Sequence, residues 1–156
     1  IRPVPDTAVA RFDALAGYAK QGRDALSRAS IAKRNGGLGT SMGLEQAKSL
    51  LVVKNGLSFL DVIAGQVEHF RSSQHVPLPL LFMNSFSTDA DSRAALSGFS
   101  GNPSGIPLAF LQHRYPKVLA EDGRPAQGPH TPQLEWSPPG HGEYYAALRA
   151  SGTLSA

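Results

Sequence analysis

At 156 residues, with 41% apolar and 17% charged side chains, the chain has the size and composition of one soluble globular domain. Its formal charge of +3 and pI near 9.5 suit a small anionic ligand, while no run of four Lys or Arg marks a nucleic-acid footprint. The absence of cysteine excludes disulfides and thiolate chemistry, and no apolar stretch approaches the roughly 20 residues of a membrane span.

The opening IRPVPDTA lacks the basic-then-apolar layout of a secretory signal, so a cytoplasmic protein is expected. A start at Ile1 rather than Met, and an end just after a helix-like segment, fit a piece of a longer protein. Asp6 or Thr7 caps a helix through Val9–Leu26, with Val9, Phe12, Leu15 and Ala19 near helical spacing. Ser30–Arg34 reads as a short strand entering a glycine-rich loop. Lys48–Val53 is a second apolar run, and Lys54-Asn55-Gly56 after it is a turn signal. Ser58 caps a helix from Phe59 to about Ser72, whose apolar stripe is Phe59, Val62, Ile63, Gln66, Val67 and Phe70. Pro79–Asn84 is nearly continuous in its apolar character and reads as a buried strand. Thr88 or Asp89 opens a further helix to about Ser97, and Pro107–Gln112 is a third buried strand. From Pro116 to Gly142 six prolines and four glycines predict ordered loop, closed by a helix over Glu143–Arg149. Strand, helix, strand, helix, strand predicts an α/β fold with right-handed crossovers and a parallel sheet.

The loop Asn35-Gly36-Gly37-Leu38-Gly39-Thr40-Ser41-Met42-Gly43, with Lys48 five residues on, is the strongest chemical signal. Glycine lets a ligand approach backbone N–H groups, and a lysine adds the mobile charge that a polyphosphate needs. The loop is not a phosphate-binding G-x-x-x-x-G-K-[ST] motif, because Gly43 is followed by Leu44. Gly37, Gly39 and Gly43 space one residue too far for the dinucleotide fingerprint. A plain flexible loop is the alternative, but the position after the first strand is where open α/β sheets bind ligands. Gln112 ends a strand at the same edge, and its carboxamide offers the donor and acceptor that a uracil edge also presents. The competing reading is a loop glutamine bonded to backbone.

The strings NGGLGTSMG…AKSLLVVKNGLSFLD, LLFMNSFSTD, FLQHRYPK and LEWSPPGHGEYY, in unbroken order from residue 31 to about 154, resemble the eukaryotic-type UDP-glucose pyrophosphorylases (UTP–glucose-1-phosphate uridylyltransferases). The resemblance implies a Rossmann-like, GT-A-like nucleotidyltransferase domain, with a parallel or mixed sheet flanked by helices. It makes residues 1–30 a helical lead-in and residues 31–156 the N-terminal portion of that domain.

By resemblance, Arg34, Asn35, Gly36 and Gly37 pass close to the nucleotide, and a bulky side chain at either glycine would collide with it. Lys48 matches the lysine that contacts UTP phosphates and is the expected catalytic residue, neutralising charge on the α-phosphate and the departing pyrophosphate. A solvated lysine before a strand is the alternative. Gln112 is implied to read uracil, with the main chain of Gly140 completing that recognition. His141 is implied to bind a substrate phosphate as a donor, and Met83 and Asn84 to line the pocket. Tyr115 and Lys117 are read as organising the loop. Two departures stand out: Arg34 occupies a position where the family usually has leucine, and Leu111 and His113 replace polar neighbours of the glutamine.

The implied reaction joins UTP and glucose 1-phosphate into UDP-glucose and pyrophosphate, with Mg²⁺ bridging phosphates and no nucleic-acid or membrane partner. The metal carboxylate, a second lysine and the sugar-binding residues are expected beyond residue 156; Glu121, Asp122 and Glu143 are not read as ligands. Little or no turnover is expected from residues 1–156 alone. Alternatives are a pyrophosphorylase for another sugar 1-phosphate and a non-catalytic nucleotide-binding module. Ser41 after Thr40 favours the glucose branch over the N-acetylglucosamine branch, whose loop typically reads G-G-x-G-T-R.

Overall fold

The computed structural model describes residues 3–37, 46–128 and 132–155. The chain enters through two 3-10 turns, Asp6–Ala8 and Phe12–Tyr18, and a short helix α1, Ala19–Leu26. The continuous helix expected up to Leu26 is therefore broken. No residue from Phe12 to Leu26 is buried, and Phe12 is 86% exposed. Helices draw most of their stability from packing an apolar face, and no described residue covers this one.

Strand β1 is Ile31–Asn35, one residue past its expected place. A 3-10 turn at Lys48–Leu50 leads to β2 (Val52–Lys54), antiparallel to β3 (Leu57–Ser58). Asn55 and Gly56 turn this hairpin with φ of 52° and 78°, the left-handed pair that an Asn-Gly turn supplies. The second apolar run thus forms a surface hairpin outside the main sheet. Helix α2, Phe59–Gln74, starts on a capping box. The Asp61 N–H donates to Ser58 Oγ at 3.2 Å, and the Ser58 N–H donates to the Asp61 carboxylate at 2.8 Å.

The buried face of α2 is Leu60, Ala64 and Val67, with Ile63 half-buried, so the expected stripe is rotated. Phe59 and Phe70 stay 47% and 45% exposed because the face that meets the sheet is this narrower one of smaller side chains. Strand β4, Leu80–Asn84, is buried at every position. Helix α3 is Asp89–Ala95 and β5 is Ala109–Leu111. The Pro- and Gly-rich stretch holds a two-stranded antiparallel ribbon, β6 (Tyr115–Pro116) with β7 (Trp136–Ser137). Helix α4, Tyr144–Ala150, closes the described chain apart from a final 3-10 turn.

The main sheet has the order β1-β4-β5, all parallel, as expected for an α/β fold. Side chains alternate across its central strand. Leu80 and Phe82 pack with Leu60, Val67 and Leu96 on the α2–α3 side; Leu81 and Met83 pack with Phe110, Ala147 and Leu148 on the α4 side. Burial on both faces accounts for the continuous apolar run in β4. Arg71 pins the amino end of β4: its guanidinium donates to Leu78 O, Gly101 O and Asn102 Oδ1 at 2.7–2.8 Å. Asn102 in turn bonds both backbone groups of Leu80.

Candidate functional site

The parallel register brings Asn35, Asn84 and Leu111 into one row at the carboxyl ends of β1, β4 and β5. The residues that follow, Gly36, Ser85 and Gln112, form the lip where ligands of open α/β sheets bind. Beneath that lip lies a buried polar floor. Asn35 Nδ2 donates to Asn84 Oδ1 at 2.9 Å and to Ser92 Oγ at 2.8 Å, and Asn84 Nδ2 donates to Asp89 Oδ1 at 2.8 Å. Thr88 Oγ1 donates to Asn35 O at 2.8 Å and accepts the Ser85 N–H at 3.0 Å. Ser92 Oγ donates to Thr88 O at 2.6 Å. In this floor the short polar side chains find one another rather than water.

Gly36 lies directly under the Gln112 carboxamide. A Cβ at position 36 would overlap Gln112 Nε2 and sit 3.0 Å from its Cδ, whereas a Cβ on Gly37 would meet no heavy atom of the described residues within 4 Å. Neither glycine lies at positive φ. Close approach, not backbone handedness, is what demands glycine at 36, and the neighbour approached is Gln112. Gln112 is buried, its N–H donating to Asn84 O at 2.9 Å. Gly37 O accepts the Lys48 N–H at 3.3 Å, which ties the lysine's segment to the loop while Lys48 itself is exposed.

Gly36 and Gly37 form one wall of a cleft of about 300 Å³. Ser85, Phe86 and Ser87 continue the wall after β4, and Lys117 with Trp136–Pro138 faces them from the ribbon. Gly140 has φ 95° and ψ −169°, a conformation that only glycine adopts without strain. His141 and Arg34 share a second pocket of about 260 Å³ with Ala32, Tyr144 and Tyr145. Burial, then neighbouring Tyr145, pushes the Tyr144 hydroxyl pKa upward, so it remains a neutral donor there. Burial, then the Arg34 charge, lowers the Lys33 ammonium on the preceding position of β1. The His113 N–H donates to Glu143 Oε2 at 3.2 Å, and His113 Nδ1 meets Glu143 Oε1. That contact joins the segment after Gln112 to the segment after Gly140.

A family model for UTP–glucose-1-phosphate uridylyltransferases matches residues 1–156. The chain belongs to that family. The Saccharomyces cerevisiae UTP–glucose-1-phosphate uridylyltransferase is 39% identical over 132 residues, 84% of this chain and 26% of the yeast protein. The Trypanosoma brucei UDP-glucose phosphorylase structure shares 42% identity at a TM-score of 0.71, covering 84% of this chain and 29% of that one. A Leishmania major UDP-glucose pyrophosphorylase variant, solved in complex with UDP-glucose, matches at 38% identity and a TM-score of 0.74 over 85% of this chain and 28% of that one. The chain therefore spans less than a third of these relatives.

Within this uridylyltransferase-family chain, Gly36 lies against the Gln112 side chain at the carboxyl edge of the sheet, and the backbone of Lys48 bonds Gly37 beside it. Asn35 departs from its expected role in one respect: its side chain is buried in the floor, so only its backbone borders the loop. Met83 and Asn84, expected to line the pocket, are both buried, Met83 against α4 and Asn84 in the floor. Thr88, marked by the sequence only as a helix opener, and Ser92, inside α3, complete the floor. Lys117, expected to organise the loop, lines the cleft. Leu38 to Glu45, with most of the glycine loop, lies outside the described residues.

Among the described residues no group of three His, Asp or Glu side chains gathers where it could hold a metal ion. Glu143 is engaged by His113, and Asp122 pairs with Arg124 at 2.6 Å. The described residues do not fit a Mg²⁺ site. No helix among them is long and apolar enough to cross a membrane.

Proposed function

We propose that this chain supplies the uridine-nucleotide-binding part of a cytoplasmic enzyme that forms UDP-glucose and pyrophosphate from UTP and glucose 1-phosphate. The observation that carries the reading is the Gln112 carboxamide laid over Gly36 at the sheet's carboxyl edge, with Lys48 tethered to Gly37 beside it. Gln112 pairs with the uracil edge, and the backbone at Gly140 completes the selection against other bases. Arg34, Asn35, Gly36 and Gly37 form the backbone track beside the nucleotide, and His141 donates to a substrate phosphate, with Arg34 in the same pocket.

In the proposed reaction a phosphate oxygen of glucose 1-phosphate attacks the α-phosphorus of UTP in line, and pyrophosphate leaves. The attacking group is already an anion, so no general base is required. Lys48 stabilises the charge that accumulates on the α-phosphate and the leaving group. Mg²⁺ is the proposed cofactor of the complete enzyme, held by a carboxylate contributed from outside residues 1–156. Residues 31–156 are then the N-terminal portion of the nucleotide-binding domain, with residues 1–30 leading into it.

Titration of the chain with UTP, ATP and UDP-glucose tests the reading. Saturable binding of UTP and UDP-glucose, with ATP much weaker, is expected; equal affinity for ATP removes the case for Gln112. Incubation with UTP, glucose 1-phosphate and Mg²⁺ is expected to give little or no UDP-glucose. Rapid turnover would show that the chain needs no residues beyond its own.

A further inference from the structure

We propose that Lys117 is a second phosphate-binding cation of the nucleotide cleft, contributed by the β6–β7 ribbon. The proposal rests on the reading that the cleft over Gly36 and Gly37 accepts a uridine polyphosphate. Among the described residues that line this cleft Lys117 is the one charged side chain, and none of them is a carboxylate. Its backbone is fixed on both sides. The Lys117 N–H donates to Glu135 O at 2.7 Å, and its carbonyl accepts the Ala126 N–H at 2.7 Å. The side chain thus springs from an ordered ribbon rather than a free loop.

The nearest acid along the ribbon does not neutralise it. Glu135 Oε1 accepts the Gly128 N–H at 2.8 Å, and no ion pair joins Lys117 to any acid among the described residues. Some other surface cations are engaged: Arg93 pairs with Asp89, Arg124 with Asp122, and Arg114 stacks on Trp136 with 4.5 Å to the ring centroid. An anchored ammonium lining the cleft with the glycines at 36 and 37, with no acid beside it among the described residues, is complementary to a phosphate. Lys48 reaches the same loop from a separate segment, so two lysines of this chain would share the triphosphate charge.

The sole tryptophan, Trp136, lines the same cleft, so its fluorescence reports occupancy. The chain and its Lys117→Met and Lys117→Arg variants are titrated with uridine and with UTP at low and high salt. The expected result is unchanged affinity for uridine, about tenfold weaker UTP binding in Lys117→Met with a shallower salt dependence, and near-normal binding in Lys117→Arg. Unchanged UTP affinity in Lys117→Met, or equal losses for uridine and UTP, overturns the assignment while leaving the nucleotide reading intact. Failure of the unaltered chain to bind UTP overturns both.

Discussion

The floor and the rim of the site are built on opposite terms. Beneath the lip, Asn35, Asn84, Thr88 and Ser92 are buried and bonded to one another, and each hydrogen bond holds a strand or helix end in register. At the rim, Gly37, Lys48 and Lys117 are exposed, and the Gln112 carboxamide lies over a bare glycine. Satisfied polar groups make a rigid platform; open ones are available to a ligand. The family relationship assigns chemistry to the rim, but the rim is positioned only because the floor is closed.

Breaking the floor should have the largest consequence. Asn84→Leu removes the acceptor for Asn35 and the donor to Asp89, leaving buried polar groups unmatched at a cost of about 3 kcal/mol. Urea denaturation of the chain measures it, and a loss below about 1 kcal/mol would mean the floor is not the rigid part.

A smaller loss is expected at the mouth of α2, remote from the rim. Ser58→Ala deletes the cap and should cost about 1 kcal/mol. The Ser58 hydroxyl, then its N–H, holds the Asp61 carboxyl below the usual carboxylate range. That contribution is complete above the unfolded carboxyl's pKa and fades as pH falls through the lower folded value. Acid titration of stability should therefore be flatter in Ser58→Ala than in the unaltered chain. An unchanged acid slope would remove Asp61 from the capping box.

The rim should behave in the reverse way, with function lost and stability kept. Gly36→Ala forces only the flexible end of Gln112 aside, so denaturation should shift by less than about 0.5 kcal/mol. Uridine binding should nevertheless weaken about tenfold, because the carboxamide is displaced. Gly37→Ala meets no atom of the described residues and separates the two effects: loss of binding there reports the ligand's own approach. Smallest of all, Phe12→Ser in the exposed lead-in should leave stability unchanged within about 0.5 kcal/mol. A larger loss would show that the lead-in packs against the chain after all.

Much of this was legible along the chain. The apolar run over residues 79–84 marks a buried strand, Ser58 marks a helix cap, and Lys54-Asn55-Gly56 marks a turn. Gly36, Gly37, Lys48 and Gln112 stand within the motifs that carry the family resemblance. The α2 face was misjudged because periodicity admits neighbouring stripes, and the sheet selected Leu60, Ala64 and Val67 over the larger phenylalanines. The lead-in helix was overextended because local spacing says nothing about whether a partner surface exists.

What the sequence determined by itself was local: turn conformations, strand burial, helix caps, and a family identity written in contiguous motifs. Only the tertiary structure decided which residues meet, since Asn35 and Ser92 lie 57 positions apart and bond only once β1, β4 and α3 are in register. It also decided that Gly36 answers to Gln112 and that Lys117 reaches the cleft. Those relations depend on distances through space, which a linear pattern of side chains does not encode.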